Sequence, residues 1–217
     1  MSHVLTNPVP ADATTLDELR AAAAHCRNCP LWRHGTQTVF GEGNHRAKLV
    51  IVGEQPGDRE DVAGHPFVGP AGGILDRVLE QCGIARDEVY VTNAVKHFKW
   101  ELRGKRRLHK TPAQREIEAC LPWLEAEVTT VKPRLILCLG ATAAKAVLGT
   151  TVRVNEARGH ALRSPDGRNV VVTMHPAYLL RLRPPSNEAA YQLFSADVQL
   201  AVDIASGKTA KAVSSER

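Results

Sequence analysis

The sequence predicts an α/β protein, a three-layer αβα sandwich around a mostly parallel, four-stranded central sheet. Short apolar runs ending at glycine or a polar residue recur four times, and each is followed by a helical stretch. Strands that read as continuous apolar runs are covered on both faces, as in sheets built from strand–helix–strand units. No internal repeat and no linker interrupts the alternation, so the 217 residues make one domain with room for a real core.

Each element has a local signature. Thr15-Leu-Asp-Glu18 is a capping box, and the alanine-rich stretch after it suits the helix it starts. Residues 1–14 read as a flexible N-terminus, 15–206 as the domain and 207–217 as a disordered tail. "KLVIVG" (Lys48 to Gly53) is the first buried strand. "GPAGGILDRVLEQCG" has helical spacing at Ile74, Val78, Leu79 and Cys82, and stops at Gly83. "VYVTN" (Val89 to Asn93) is the second strand. A helix follows the basic stretch around residue 105, with Thr111 as its expected N-cap, Gln114 closing a capping box and Pro122 kinking or splitting it. "RLILCLG" and "NVVVTMHP" are the third and fourth strands, and a closing helix spans residues 188–205.

The net charge of +5 is concentrated. Between Val95 and Lys110 stand seven Lys or Arg against Glu101 alone, so this segment carries +6 and the remainder about −1. One local patch with Phe98 and Trp100 inside it fits a surface that meets a polyanion better than a merely solvated loop. There is no apolar run of about 18 residues and no signal-peptide pattern, so a cytoplasmic location without membrane contact is expected. In that compartment the five cysteines are core residues, metal ligands or reactive thiols rather than disulfides.

In open α/β sheets, ligands bind outside the carboxyl ends of the strands. The segments just past those ends are "GEQPGD", "TNAVKH", "GATAA" and "MHPAYLLR". An acid, an amide, a histidine and glycines thus converge on one edge. No Gly-Lys-Ser/Thr follows the first segment and "GPAGG" does not match G-x-G-x-x-G, so nucleotide-triphosphate and dinucleotide sites are disfavoured. Glu54 directly follows a buried strand, which favours a functional role over that of a surface turn carboxylate.

Cys26 and Cys29 form a C-x2-C pair after a helix, where metal binding is favoured over redox chemistry. Further ligands come from Cys82, His97, Cys120 and Cys138. Cys82 and Cys138 read most simply as core thiols. His97 and Cys120 flank the basic stretch and would staple its ends. Spacing alone does not choose between zinc and an iron–sulfur cluster.

"GEQPGDREDVAGHPFVGPAGGILD", "YVTNAVKH" and "MHPAYLLR" resemble, in order and over about Cys26 to Asp203, the motifs of the uracil-DNA glycosylase superfamily, nearest its iron–sulfur family 4 branch. "GEQPG" with an inserted "KRRLHK" resembles the UdgX-type members, which bind uracil-DNA covalently. The resemblance implies a pocket in which Phe67 stacks on the flipped base and Asn93 reads its Watson–Crick edge. Gly53, Gln55 and Asp58 complete that pocket, and His175 stabilises the departing anion. It implies a 4Fe–4S cluster on Cys26, Cys29 and Cys120, with His97 standing where the family 4 pattern has a cysteine. Imidazole ligates iron in Rieske centres, which keeps His97 as the fourth ligand.

The same resemblance gives His109 a role. On composition alone, an imidazole in "GKRRLHK" is a solvent-facing loop residue. In a UdgX-type protein it is the nucleophile, placed where a hydrolytic water would otherwise stand and assisted by Glu54. Lys105, Arg106, Arg107 and Lys110 would then hold phosphates. The expected partner is uracil-containing DNA, single-stranded in preference to double-stranded, met by a monomer. The rival expectations are a turning-over family 4-like glycosylase and a non-enzymatic metal-containing DNA-binding module.

Overall fold

In the computed structural model, which describes residues 9–208, the apolar runs form strands as expected, joined by short elements too brief to show a pattern. The strands are β1 (Glu42–Gly43), β2 (Leu49–Gly53), β3 (Tyr90–Asn93), β4 (Trp100–Arg103), β5 (Arg106–His109), β6 (Leu135–Leu139), β7 (Ala161–Arg163) and β8 (Asn169–Thr173). The helices are α1 (Leu16–Ala23), α2 (Asp58–Ala63), α3 (Pro70–Gln81), α4 (Gln114–Val131), α5 (Ala141–Leu148), α6 (Val154–Ala157), α7 (Pro176–Leu179) and α8 (Ser186–Ser206).

The main sheet has six strands in the order β1-β3-β2-β6-β8-β7. Its centre is the expected parallel set, β3, β2, β6 and β8. Antiparallel β1 and β7 extend it at the two edges, which revises the four-strand expectation. Every residue of β2 and β6 is buried, because helices cover both faces. α1, α4 and α5 pack on one side around Trp123 and Leu124; α3 and α8 pack on the other around Phe194 and Leu79. At about 1.5–3 kcal/mol per fully buried large apolar side chain, these two layers supply the main drive to fold.

Local chemistry explains the boundaries. Thr15 Oγ1 accepts from the Glu18 N–H while the Glu18 carboxylate takes the Thr15 N–H, so the predicted capping box forms. The α4 start differs from expectation. Ala113 is the N-cap and Glu116 Oε2 accepts its N–H at 2.6 Å, because a buried carboxylate outcompetes Gln114, whose amide turns to Glu118. α4 runs unbroken through Pro122, so the helix is not split. The expected tail lies almost wholly outside the described residues, as does part of the expected flexible N-terminus.

The basic segment is no loop. β4 and β5 pair as an antiparallel hairpin whose two-residue turn is Gly104-Lys105. Gly104 adopts φ 62°, the left-handed value that such a turn requires and that glycine takes without a Cβ penalty. His109 ends β5, directly opposite Trp100.

Candidate active site

The carboxyl ends of β2, β3, β6 and β8 open into a cleft of about 670 Å³. Its inner wall is tight. A β-carbon on Gly53 would stand 2.3 Å from Asn93 Oδ1 and 2.6 Å from Phe67 Cζ, so only glycine lets amide and ring approach the strand end. Asn93 is buried and its Oδ1 has no hydrogen-bond partner, leaving an acceptor aimed at no protein donor. Phe67 holds φ 59°, a strained value for an aromatic residue. Gly72 makes this possible, since a β-carbon there would strike the Phe67 carbonyl at 1.7 Å. Glu60 frames the wall, accepting the Gly69 N–H at 2.7 Å and the Gly57 N–H at 3.1 Å.

Opposite this wall stand two histidines. His175 caps α7, its Nδ1 accepting the Ala177 N–H at 3.2 Å. The proton of the neutral ring is therefore on Nε2, which becomes a hydrogen-bond donor. Burial pulls its pKa down to about 4, with His109 and Arg181 adding to the effect, so the ring is neutral near pH 7. It lies beside Phe67, ring centroids 5.9 Å apart. His109 is half exposed at the cleft mouth, with Nε2 3.4 Å from Glu54 Oε1, the long limit of a hydrogen bond. Burial also lowers its pKa, against the upward pull of Glu54 and with the downward push of Arg181. Glu54 is fixed from the far side, where Thr142 Oγ1 donates to Oε2 at 2.6 Å.

The hairpin that carries His109 is bolted down at its base. The Gln55 side chain donates to the carbonyls of Lys99 and Lys110 and accepts the Lys99 N–H, all at 3.1 Å. The resemblance places the backbone around Gln55 at the substrate, and Gln55 lines the cleft; its side chain is occupied by the hairpin, because β4 and β5 leave the main sheet at that point and their backbone needs partners. Arg107, expected at phosphate, donates to Asp58 Oδ1 at 2.6 Å and to the buried Asp61 Oδ2 at 2.7 Å, and stacks over Phe98 and Trp100. Asp58 borders the cleft but is Arg107's partner. Lys105 and Arg106 are exposed at the hairpin tip, and Lys110 pairs with Glu101 at 3.1 Å on the surface.

The expected metal residues are all buried. Cys26, Cys29 and Cys120 are close enough that a charge on one raises the pKa of another, and burial pushes Cys120 up to about 12. The Lys96 N–H donates to Cys120 Sγ and the Trp123 indole N–H to Cys26 Sγ, each at 3.3 Å. His97 Nε2 meets Thr38 Oγ1 at 3.0 Å while Nδ1 is buried without a partner, and burial lowers its pKa to about 4, so the ring is neutral. Among the described residues no three such side chains are drawn into a closed metal-holding group. The donor chemistry still fits one: three thiols, two N–H groups turned to sulfur and an unclaimed imidazole nitrogen. Cys138 is enclosed within β6, in the core, and Cys82 follows the last turn of α3, packed against the other core layer.

Sequence reasoning did not single out Thr142, Glu60, Asp61 or Arg181. Nor did it find Lys96, whose buried ammonium sits against Glu127 and donates to Thr92 Oγ1 at 2.6 Å and to the Asn93 carbonyl at 2.8 Å. The signal for Lys96 and Glu127 lay in carboxylates and lysines at core-facing positions, which are seldom buried unless paired.

Among the described residues no helix is long and apolar enough to cross a membrane. The profile of the Uracil DNA glycosylase superfamily matches residues 40–199. A type-4 uracil-DNA glycosylase of Thermotoga maritima is 40% identical over 164 residues, 75% of this chain and 81% of the relative. Type-4 enzymes of Pyrobaculum aerophilum and Archaeoglobus fulgidus are 37% identical over 173 residues and 34% over 181. These matches cover 76% and 80% of this chain, and 85% and 87% of the respective relatives. With a profile spanning most of the domain and type-4 relatives at 34–40% identity, this chain, a parallel-centred sheet with a cleft at its carboxyl edge, belongs to the uracil-DNA glycosylase superfamily and is related to its type-4 enzymes.

Proposed function

We propose that this glycosylase excises uracil from DNA and becomes bonded, through His109, to C1′ of the abasic site it creates. The observation that carries the reading is the place of His109. Its neutral ring stands at the mouth of the cleft lined by Asn93, Phe67 and His175, with Glu54 at 3.4 Å. A glycosylase must take the base out of the stack, and the cleft offers what a flipped uracil needs. Phe67 provides a face worth about 1–3 kcal/mol of stacking. Asn93 combines a donor with an unclaimed acceptor, which suits the adjacent N–H and carbonyl of uracil and mismatches cytosine.

The bond that breaks is N1–C1′, and its electron pair leaves with uracil. His175, neutral and protonated on Nε2, donates to a uracil carbonyl as negative charge builds there. The Glu54 carboxylate faces the positive charge growing on the sugar. One nitrogen of His109 then gives its lone pair to C1′. The other ring nitrogen bears the proton, which passes to Glu54 or water, and uracil takes a proton from solvent. The product is an N-glycosyl imidazole without a good leaving group, so the protein stays attached.

Lys105, Arg106 and Lys110 form the phosphate-holding surface on this reading, and single strands are the preferred form because their bases need no unpairing. A 4Fe–4S cluster on Cys26, Cys29, Cys120 and His97 is part of the proposal; when bound it would cross-link the N-terminal segment to the hairpin and α4. The unclaimed Nδ1 of His97 supports that assignment.

The test is a denaturing gel after incubation with uracil-containing single-stranded DNA. The native protein is expected to give a shifted, denaturant-stable band. His109→Ser is expected to lose the band, release uracil and leave abasic DNA, because serine leaves space for water beside an intact pocket. A shifted band that persists in His109→Ser would overturn the assignment of the nucleophile. Free uracil from the native protein without a shifted band would establish hydrolytic turnover instead.

A further inference from the structure

We propose that the groove adjoining the active cleft is a second nucleotide subsite, which takes a base neighbouring the uracil on the same strand. The inference rests on the reading of the first cleft as the uracil pocket. The groove measures about 630 Å³ and runs between α3, the end of α7 and the start of α8. It shares Pro70 and Leu180 with the active cleft, so a strand that places one base in the first reaches the second without leaving the surface.

Three further features give it the chemistry of a base site. Four buried polar side-chain atoms among the described residues have no hydrogen-bond partner: Asn93 Oδ1, His97 Nδ1, Asn187 Oδ1 and Ser195 Oγ. The first faces the uracil pocket and the second the cysteine cluster. Asn187 lines the groove, and its carbonyl oxygen, enclosed beneath the surface, has no donor; a turn of the amide presents that acceptor to a base N–H or amino group. Tyr191 also lines the groove, its hydroxyl tied to Gln81 Oε1 at 2.9 Å, which fixes an aromatic surface for stacking. Arg77 is exposed on the α3 side and enters no ion pair among the described residues, leaving it available to a phosphate. Glu188 repels phosphate from the opposite side, which sets the polarity: backbone toward α3, base toward α8.

Gly73 makes the test clean. A β-carbon there meets nothing within 4 Å and Gly73 lines the groove, so Gly73→Phe brings a ring into the groove from an unobstructed position. The measurement is the single-turnover rate at subsaturating protein on uracil oligonucleotides. In these, each neighbour of the uracil is in turn a normal nucleotide or a base-free tetrahydrofuran spacer. Native protein is expected to slow by roughly 5- to 150-fold when one particular neighbour loses its base, the range of one stacked base. Gly73→Phe is expected to react with the intact oligonucleotide at that slow rate, to be indifferent to the spacer, and to match native protein on the spacer substrate. Asn187→Ala should lose part of the same preference and serves as the second variant. Native protein that ignores every spacer overturns the subsite, as does Gly73→Phe retaining the full preference. Absence of reaction on every oligonucleotide would overturn the uracil pocket itself, which separates the two failures.

Discussion

Glu54 is held between two groups, and removing one of them measures its role. Thr142→Val keeps the volume of the side chain and deletes the donor that reaches Glu54 Oε2 at 2.6 Å. Hydrogen bonds to a charged group contribute about 1.5–3 kcal/mol. Glu54 remains 21% exposed, so water replaces part of the loss and the lower end applies. A barrier higher by about 1.4 kcal/mol slows the step roughly tenfold. Rapid-quench measurement of adduct formation at saturating protein should show that decrease, with DNA affinity unchanged because Thr142 does not line the cleft. Thr142→Ser restores the donor and should recover most of the rate. Native speed in the valine variant, or an equal defect in both variants, would mean that Glu54 is positioned by something else.

Five further outcomes follow from the same structure. Gly53→Ala drives a methyl against Asn93 Oδ1 and Phe67; a displacement on the order of 1 Å should slow uracil release by about 100-fold in a single-turnover assay, and native rates would show that the wall has been misplaced. Native protein should be brown with iron and sulfide. Cys120→Ala should lose both while Cys138→Ala keeps them, and colourless protein with one zinc would refute the cluster. Arg106→Ala should lower the salt slope of DNA binding by about one phosphate contact. Arg107→Ala should instead lower the melting temperature, since removing one partner of a buried ion pair costs about 3 kcal/mol; an unchanged melting curve would contradict the role of Asp61 as its anchor. His175 has its folded pKa depressed to about 4, so below its ordinary value of about 6.5 the unfolded chain takes a proton that the folded chain refuses. Stability therefore falls as pH drops from about 6.5 to 4, by on the order of 3 kcal/mol from this group. Denaturant melts of His175→Gln should therefore show a shallower slope, and an unaltered slope would show that His175 is not buried in its neutral form.

The parallel core was legible because its strands are five buried residues long or nearly so, and the chain punctuates each with glycine, asparagine or threonine. β1 and β7, at two and three residues, are too short to carry a period. The hairpin hid behind its charge. "ELRGKRRLH" has a glycine at the turn position, but its exposed strands are polar, and polarity was read as a loop. The residues at the strand ends were readable from topology alone, while their supports were not. Thr142 is one threonine in a small-residue run, and Glu60, Asp61, Glu116 and Glu127 look like surface acids until the fold buries them. Arg107 shows the converse: it stands among basic neighbours, but two carboxylates and two aromatic rings claim it, and only tertiary structure reveals that.

On the proposed reading, the way His109 is mounted separates capture from excision. The pocket walls come from the main sheet and its loops: Gly53 and Asn93 end β2 and β3, Phe67 is wedged by Gly72, and His175 caps α7. None of these depends on the imidazole. His109 arrives from outside, on a two-stranded hairpin attached through Gln55, through Arg107 to Asp58 and Asp61, and through Lys99 to Glu116 at 2.8 Å. A change at His109 therefore alters which nucleophile meets C1′ without disturbing how the base is read. A change at the attachments alters where the nucleophile stands. The two classes of variant should separate in kinetics: substitution of His109 itself trades adduct for released uracil, whereas Gln55→Ala, which loosens the hairpin base, should reduce adduct and raise uracil release together in one protein. If Gln55→Ala lowers both products in proportion, the hairpin is part of the pocket, and the separation between reading the base and capturing the sugar does not hold.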